Sequence, residues 1–308
     1  MQVTVAKTAG FCFGVRRALE LTQKSAALSP TCTLGELIHN RQVVEELAGQ
    51  GVTVIERPED APAGTAVVIR SHGVGPQVYD TLRAQGSPVI DATCPFVKRI
   101  HQIAAEVPEN GLLLLAGRRE HPEVQGILGY CRGQALVFSS AEEMQELLAF
   151  LPSDGNIPVI LAAQTTFSLR EWEKILFFAK KVCTNLKVFD TICRATIERQ
   201  SEAKQLAQSA DAIVVVGGLH SANTTALAAL CGSYCPTVQV ETADQLERHR
   251  EALRGARFIG ITAGASTPAC IIKEVQNSMS VLENNTEEMN FGELLDQYSK
   301  SIHNGEKV

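Results

Sequence analysis

No apolar run in this 308-residue chain approaches the ~18–20 residues that span a bilayer; the longest are short stretches such as Gly111 to Gly117. The opening MQVTVAKTAGFCFGV has no basic region followed by a continuous apolar stretch, so it does not read as a secretory leader. The expectation is a cytoplasmic protein, neither secreted nor membrane-spanning. Lysine and arginine total 28 against 34 acidic residues, a net charge of −6, and they gather only in pairs such as Arg16-Arg17 and Arg118-Arg119. A basic stripe for a nucleic-acid backbone is therefore missing, and nucleic acid is excluded as an expected partner. The usual phosphate loops are absent as well: there is no Walker A sequence and no GxGxxG, and the GVGP that follows His72 is too short. No C-x2-C pair occurs, and Cys231 and Cys235, separated by three residues, have no matching histidine pair, which argues against an ordinary structural zinc site.

Aromatic residues are scarce, 5% within a hydrophobic fraction of 45%, so the apolar mass is mainly Ala, Val, Leu and Ile. Those are the residues of buried parallel strands and of the helices that cover them. The length exceeds what one ordinary core fills and suggests two or three domains. The nine cysteines are odd in number and dispersed, unlike the disulfide framework of a small secreted domain. In a reducing compartment they are free to ligate metal or to be buried as small hydrophobes.

Three kinds of segment recur in the same order, as if one α/β unit were repeated three times. The first joins an apolar stretch to a helical pattern through polar residues: TLGELIHNRQVVEEL at His39, LLLLAGRREHPEVQGILG at His121, and IVVVGGLHSANTTALAAL at Asn223. The second is a short run rich in Val, Ile or Ala that ends in small or polar residues: AVVIRSHGVGP at His72, PVILAAQTTFSL at Thr165, and RFIGITAGASTP at Ser266. The third sets a cysteine directly before an amphipathic helix: AGFCFGVRRALELTQ at Cys12, DATCPFVKRIHQIAAE at Cys94, and DTICRATIERQSEAKQLA at Cys193. Spacing agrees with residue type: the cysteines lie 82 and 99 residues apart, and His39, His121 and Asn223 lie 82 and 102 apart.

Ligands of open α/β sheets bind beyond the carboxyl ends of the strands, so three such units about an axis would aim all these segments at one centre. A helix N-terminus favours a thiolate there. Three thiolates can serve three irons of a cubane [4Fe–4S] cluster, one per chain, leaving one iron not ligated by protein. A widely spaced triad does not by itself prove a cluster, and zinc stays open as the alternative metal. Around the cysteines, His39, His72 and His121 supply donors and Ser221, Asn223 and Ser266 supply neutral hydrogen bonds, a set suited to a polyvalent anion. Within His121-Pro122-Glu123, a carboxylate sits two residues from a histidine, and in a desolvated site it could keep a raised pKa and deliver protons. Thr165 could orient it. The other six cysteines, Cys32, Cys131, Cys183, Cys231, Cys235 and Cys270, match no repeat position and read as structural thiols, and His101 reads as a surface or packing residue.

Taken together, GFCFGVRRALE, LIHNRQVVEEL, SHGV, DATCP, HPEVQG, QTT, DTIC, HSANT and GAST resemble the 4-hydroxy-3-methylbut-2-enyl diphosphate reductases, the LytB/IspH family, from about residue 3 to 275. The resemblance implies three similar α/β domains with parallel sheets in pseudo-threefold arrangement around a central iron–sulfur cluster. On this chain the domains would be residues 1–94, including an N-terminal cluster-ligand segment, 95–192 and 193–282, with residues 283–308, outside the resemblance, as a polar C-terminal tail. It implies reductive dehydroxylation of the allylic diphosphate to isopentenyl and dimethylallyl diphosphates, the last step of the non-mevalonate isoprenoid pathway. Cys12, Cys94 and Cys193 match the cluster ligands, and His39, His72, His121, Ser221, Asn223 and Ser266 match the diphosphate pocket. Glu123 and Thr165 match the proton-delivery residues. Ala222 departs from the family, where a second serine is common. The electron donor implied is ferredoxin or flavodoxin, acting on a monomer or weak dimer. A cluster-dependent hydro-lyase and a non-catalytic iron–sulfur sensor are the rival readings.

Overall fold

The computed structural model describes residues 1–38, 40–149, 157–183 and 185–279; His39 and the expected tail at 283–308 lie outside the described residues. In chain order the first third contains β1 (Gln2–Val5), α1 (Phe13–Ala26), β2 (Thr31–Leu34), α2 (Arg41–Gly49), β3 (Thr53–Ile55), β4 (Ala66–Ile69), α3 (Pro76–Ala84) and β5 (Val89–Asp91). There follow α4 (Pro95–Ala105), β6 (Leu112–Ala116), α5 (Pro122–Leu128), β7 (Gln134–Phe138), α6 (Ala141–Ala149), β8 (Val159–Ala163), α7 (Leu169–Val182) and β9 (Leu186–Val188). The last part holds α8 (Arg194–Ser209), β10 (Ala212–Val216), α9 (Ala222–Gly232), β11 (Thr237–Val240), α10 (Arg250–Leu253) and β12 (Phe258–Ala263), and then helical residues 269–279.

These strands form three four-stranded sheets, ordered β3-β2-β4-β5, β7-β6-β8-β9 and β11-β10-β12-β1, and every pairing is parallel. The fold is thus three similar parallel-sheet α/β units. The order also shows how the repeat closes on itself. In the first two sheets the fourth strand comes last in sequence, whereas in the third that place is taken by β1, from the other end of the chain. Residues 2–5 therefore pair within the third sheet, along β12.

The inner strands β4, β6, β8 and β10 are apolar throughout, because both faces of a parallel sheet are covered, while β2 and β12 also bury Thr31, Thr33 and Thr262. On β6, Leu112 and Leu114 face one core and Leu113 and Leu115 the other, all at most 1% exposed. Burial stabilises such side chains by about 1.5–3 kcal/mol each. On β10 the same alternation sends Val214 and Val216 to one side and Ile213 and Val215 to the other. Gly260, in the middle of β12, permits α8 to approach: a Cβ there would stand 2.5 Å from Ile213 Cδ1 and 2.6 Å from Leu206 Cγ. This contact brings α8, the helix that begins at Cys193, against the third sheet.

Candidate active site

One cavity lies at the carboxyl ends of the strands, enclosing about 810 Å³ with its open mouth included, and residues from all three units line it. Cys12, Cys94 and Cys193 are there, with His72, His121, Glu123, Thr165, Ser221, Asn223 and Ser266. Among the described residues, every candidate named from the sequence is brought together; His39 lies outside them. Ser71, Thr166, Thr196 and Arg199 also line the cavity, and sequence reasoning did not single them out.

The three cysteines are held in the same way. Each follows the fourth strand of its sheet and caps the next helix, Cys12 on α1, Cys94 on α4 and Cys193 on α8. Each backbone N–H donates to the loop after the third strand of its sheet: Cys12 to Ala265 O at 3.2 Å, Cys94 to Ser71 O at 3.0 Å and Cys193 to Thr165 O at 3.0 Å. That repeated bond fixes the thiols with respect to the polar loops. It also corrects the register of the middle repeat. Ser71, Thr165 and Ala265 are equivalent, so the counterpart of His72 and Ser266 is Thr166, one residue beyond the Thr165 chosen by sequence likeness.

A similar shift occurs after the first strand of each sheet. His121 and Ser221 are the N-caps of α5 and α9, accepting from Glu123 N at 3.1 Å and Thr224 N at 3.4 Å. The partner of Asn223 is accordingly Glu123, each the second residue of its helix. Pro122 at the first helical position has no N–H to satisfy and sets the chain for the turn. Because His121 Nδ1 accepts, Nε2 is the ring nitrogen left to donate. His72 stands edge-on to His121, with ring centroids 5.2 Å apart.

Glu123 is 2% exposed, and both of its oxygens are engaged by Thr165: the backbone N–H donates to Oε1 at 2.7 Å and the hydroxyl to Oε2 at 2.8 Å. Burial pushes its pKa up to about 7, against the two Thr165 donors, which favour the ionised form. Burial also raises the thiols of Cys94 and Cys193. For Cys94 the N–H groups of Phe96 and Val97 act the other way, and for Cys193 the hydroxyl and N–H of Thr196 do so, with Sγ to Oγ1 at 3.2 Å. The helix-start effect expected from sequence is present, and desolvation outweighs it. Metal binding at such thiols would be coupled to their deprotonation.

Several features fit a sulfur-ligated cluster and an anionic ligand. A Cβ at Gly14 would lie 2.9 Å from Cys94 Sγ and 3.9 Å from Cys12 Sγ, so the glycine keeps that space clear beside two of the thiols. Among the described residues, no three or more His, Cys, Asp or Glu side chains are gathered as a ready-made site for a single metal ion, and the three thiols line the cavity from the starts of three separate helices. Asn223 Nδ2 is buried without a protein acceptor, as expected of a donor kept for a ligand.

Fold and site together define a protein of three parallel-sheet α/β units whose shared cavity offers three thiols at helix N-cap positions, a buried carboxyl and several His, Ser and Asn side chains. The family model described as LytB protein matches residues 3–280, and the chain belongs to that family. A relative from Caldanaerobacter subterraneus subsp. tengcongensis, named 4-hydroxy-3-methylbut-2-enyl diphosphate reductase, is 40% identical over 297 residues, covering 93% of this chain and 99% of its own. One of the same name from Geobacter sulfurreducens is 41% identical over 288 residues, 92% and 99% of the two chains. Two solved structures are also similar. One, described as (E)-4-hydroxy-3-methyl-but-2-enyl diphosphate reductase, the terminal enzyme of the non-mevalonate pathway, is 38% identical, with a TM-score of 0.64 over 91% of this chain and 99% of that one. The other, the E-1-hydroxy-2-methyl-but-2-enyl-4-diphosphate reductase from Plasmodium falciparum, is 26% identical, with a TM-score of 0.83 over 90% and 87%. No helix among the described residues is long and apolar enough to cross a membrane.

Proposed function

We propose that this chain reduces (E)-4-hydroxy-3-methylbut-2-enyl diphosphate to isopentenyl and dimethylallyl diphosphates, closing the non-mevalonate route to isoprenoids. The observation that carries the reading is the meeting of three thiols at helix N-cap positions and the Glu123–Thr165 pair in one cavity that His72, His121, Ser221, Asn223 and Ser266 also line. The names of the relatives support the substrate.

In this reading Cys12, Cys94 and Cys193 would hold a [4Fe–4S] cluster, which would supply single electrons and a Lewis-acidic iron. His72, His121, Ser221, Asn223 and Ser266 take the diphosphate, with His39 from the sequence pattern. Asn223 Nδ2 donates to a phosphate oxygen and so loses its unpaired state. The backbone N–H of Thr165 commits Oε1 of Glu123 as an acceptor, so the proton is carried on Oε2. The Thr165 hydroxyl can then accept from Oε2 and donate its own hydrogen to the departing oxygen of the substrate. The carbon–oxygen bond breaks, two electrons and two protons are consumed, and water leaves. A second proton taken at either end of the allylic unit yields the two isomers. The electrons come from ferredoxin or flavodoxin, and the chain works in the cytoplasm as a monomer or weak dimer.

The test is anaerobic incubation of the reconstituted protein with reduced viologen and the substrate, with the products separated. Viologen oxidation in step with formation of both diphosphates is expected. Turnover without reductant consumption would make the protein a hydro-lyase, and saturable binding without turnover would make it a sensor.

A further inference from the structure

Arg199, on α8, is 3% exposed and lines the cavity between the loops that carry Cys12 and Ser266. Its Nη1 donates to Ala263 O at 2.5 Å, at the end of β12, and its Nη2 donates to Gly10 O at 2.8 Å, two residues before Cys12. Both acceptors are neutral carbonyls. The carboxylate near it in sequence, Glu202, is committed elsewhere, accepting from Lys7 N and Thr8 N at 2.8 Å each and from Thr8 Oγ1 at 2.6 Å. No carboxylate among the described residues forms an ion pair with Arg199.

Two carbonyls need only neutral donors, and a glutamine or asparagine could provide them without the cost of burying a cation. A guanidinium in that place calls for negative charge nearby. The groups best placed to supply it line the same cavity: Cys12, two residues beyond the Gly10 that Arg199 grips, and Cys193, six residues before it at the N-cap of the same helix, with the already committed Glu202 contributing less.

We infer that Arg199 is the buried counter-charge to the anionic cluster held by Cys12, Cys94 and Cys193, and that it makes the cluster easier to reduce by favouring the added electron. The inference rests on the proposed function, since it needs the cluster. Arg199 is a positioning and charge-compensating residue; it takes no proton and touches no reacting atom. A fixed cation beside an acceptor favours the more negative, reduced state, so its removal lowers the midpoint potential.

The test compares wild type with Arg199→Lys, Arg199→Gln and Arg199→Met after anaerobic reconstitution. Circular dichroism checks the fold, iron and sulfide content check loading, and spectroelectrochemistry gives the potential. The two neutral variants should reduce at least tenfold less favourably, a potential about 59 mV lower for a one-electron step, while Arg199→Lys stays within about threefold of wild type. Arg199→Gln keeps amide donors for the two carbonyls, so it decides the matter if the Met chain fails to fold. Neutral variants within threefold of wild type would overturn the inference, as would a lysine variant displaced as far as the neutral ones, which would mark a purely structural clamp. Failure of wild type itself to take up iron and sulfide would overturn the functional reading beneath it, a distinct result.

Discussion

Glu123, the second residue of α5, and Thr165, in the loop after β8, are joined by two hydrogen bonds, one from the threonine backbone and one from its hydroxyl, at 2.7 and 2.8 Å. The carboxyl is buried and its pKa stands at about 7, so near neutrality it is shared between protonated and ionised forms. A proton donor is most effective when its pKa lies close to the working pH.

The direction of the pH dependence follows. Burial raises the folded-state pKa of Glu123 above the unfolded value, so its contribution to stability is complete below about 4.5 and is lost as pH rises through about 7. Activity that needs the protonated form should fall over the same upper limb. Thr165→Ala removes a donor that favours the ionised form, so its falling limb should move to higher pH while turnover drops about 10- to 100-fold through lost orientation. Glu123→Gln should cut turnover at least ~100-fold with the cluster spectrum unchanged and abolish that limb. A Glu123→Gln protein within a few-fold of wild type would remove the proton-donor role.

Asn223 tests the anion site. Its buried Nδ2 has no protein acceptor, and a hydrogen bond to a charged group contributes about 1.5–3 kcal/mol. Asn223→Ala should therefore weaken diphosphate binding by about 10- to 100-fold, measured calorimetrically, with iron content unaltered. Unchanged affinity would place the diphosphate elsewhere.

Gly14→Ala separates cluster loading from folding. Helix propensity favours alanine by up to about 1 kcal/mol, so the fold alone should tolerate the change. The new Cβ would stand 2.9 Å from Cys94 Sγ, which must then move. Iron and sulfide per chain should fall sharply while circular dichroism stays native; full loading would show that the thiol has freedom to spare.

The remaining accessible thiols serve as a control. Cys131, Cys183, Cys235 and Cys270 are half-buried or exposed, and none lines the cavity. Replacing all four by serine should leave iron and sulfide content unchanged, and lost iron would assign one of them a ligand role that the cavity does not give it.

Most of the site was legible because the chemistry sits at strand ends, where a buried apolar run gives way to His, Ser, Asn, Thr or Cys. That transition is visible three times over. Register within each loop was less legible, since likeness of residue type matched Asn223 to His121 and Thr165 to His72, whereas the backbone bonds pair Asn223 with Glu123 and Thr166 with His72. The four residues of β1 carry too little pattern to show which sheet edge they join, and pairing with β12 is a long-range outcome. His101, read as a surface or packing residue, is buried and stacked on Tyr130 at 4.4 Å, so packing is its role. Arg199 was missed because an arginine within ERQSEAKQ reads as a solvated helix face, and only the packing of α8 on the third sheet buries it.

The central claim is that three cysteines from three helices hold one cluster. Anaerobic iron and acid-labile sulfide analysis of wild type beside Cys94→Ser tests it most directly. The account predicts about four irons and as many sulfides per chain in wild type, with loss of the stable cluster in the variant. Zinc in place of iron, or a Cys94→Ser protein as fully loaded as wild type, would contradict it.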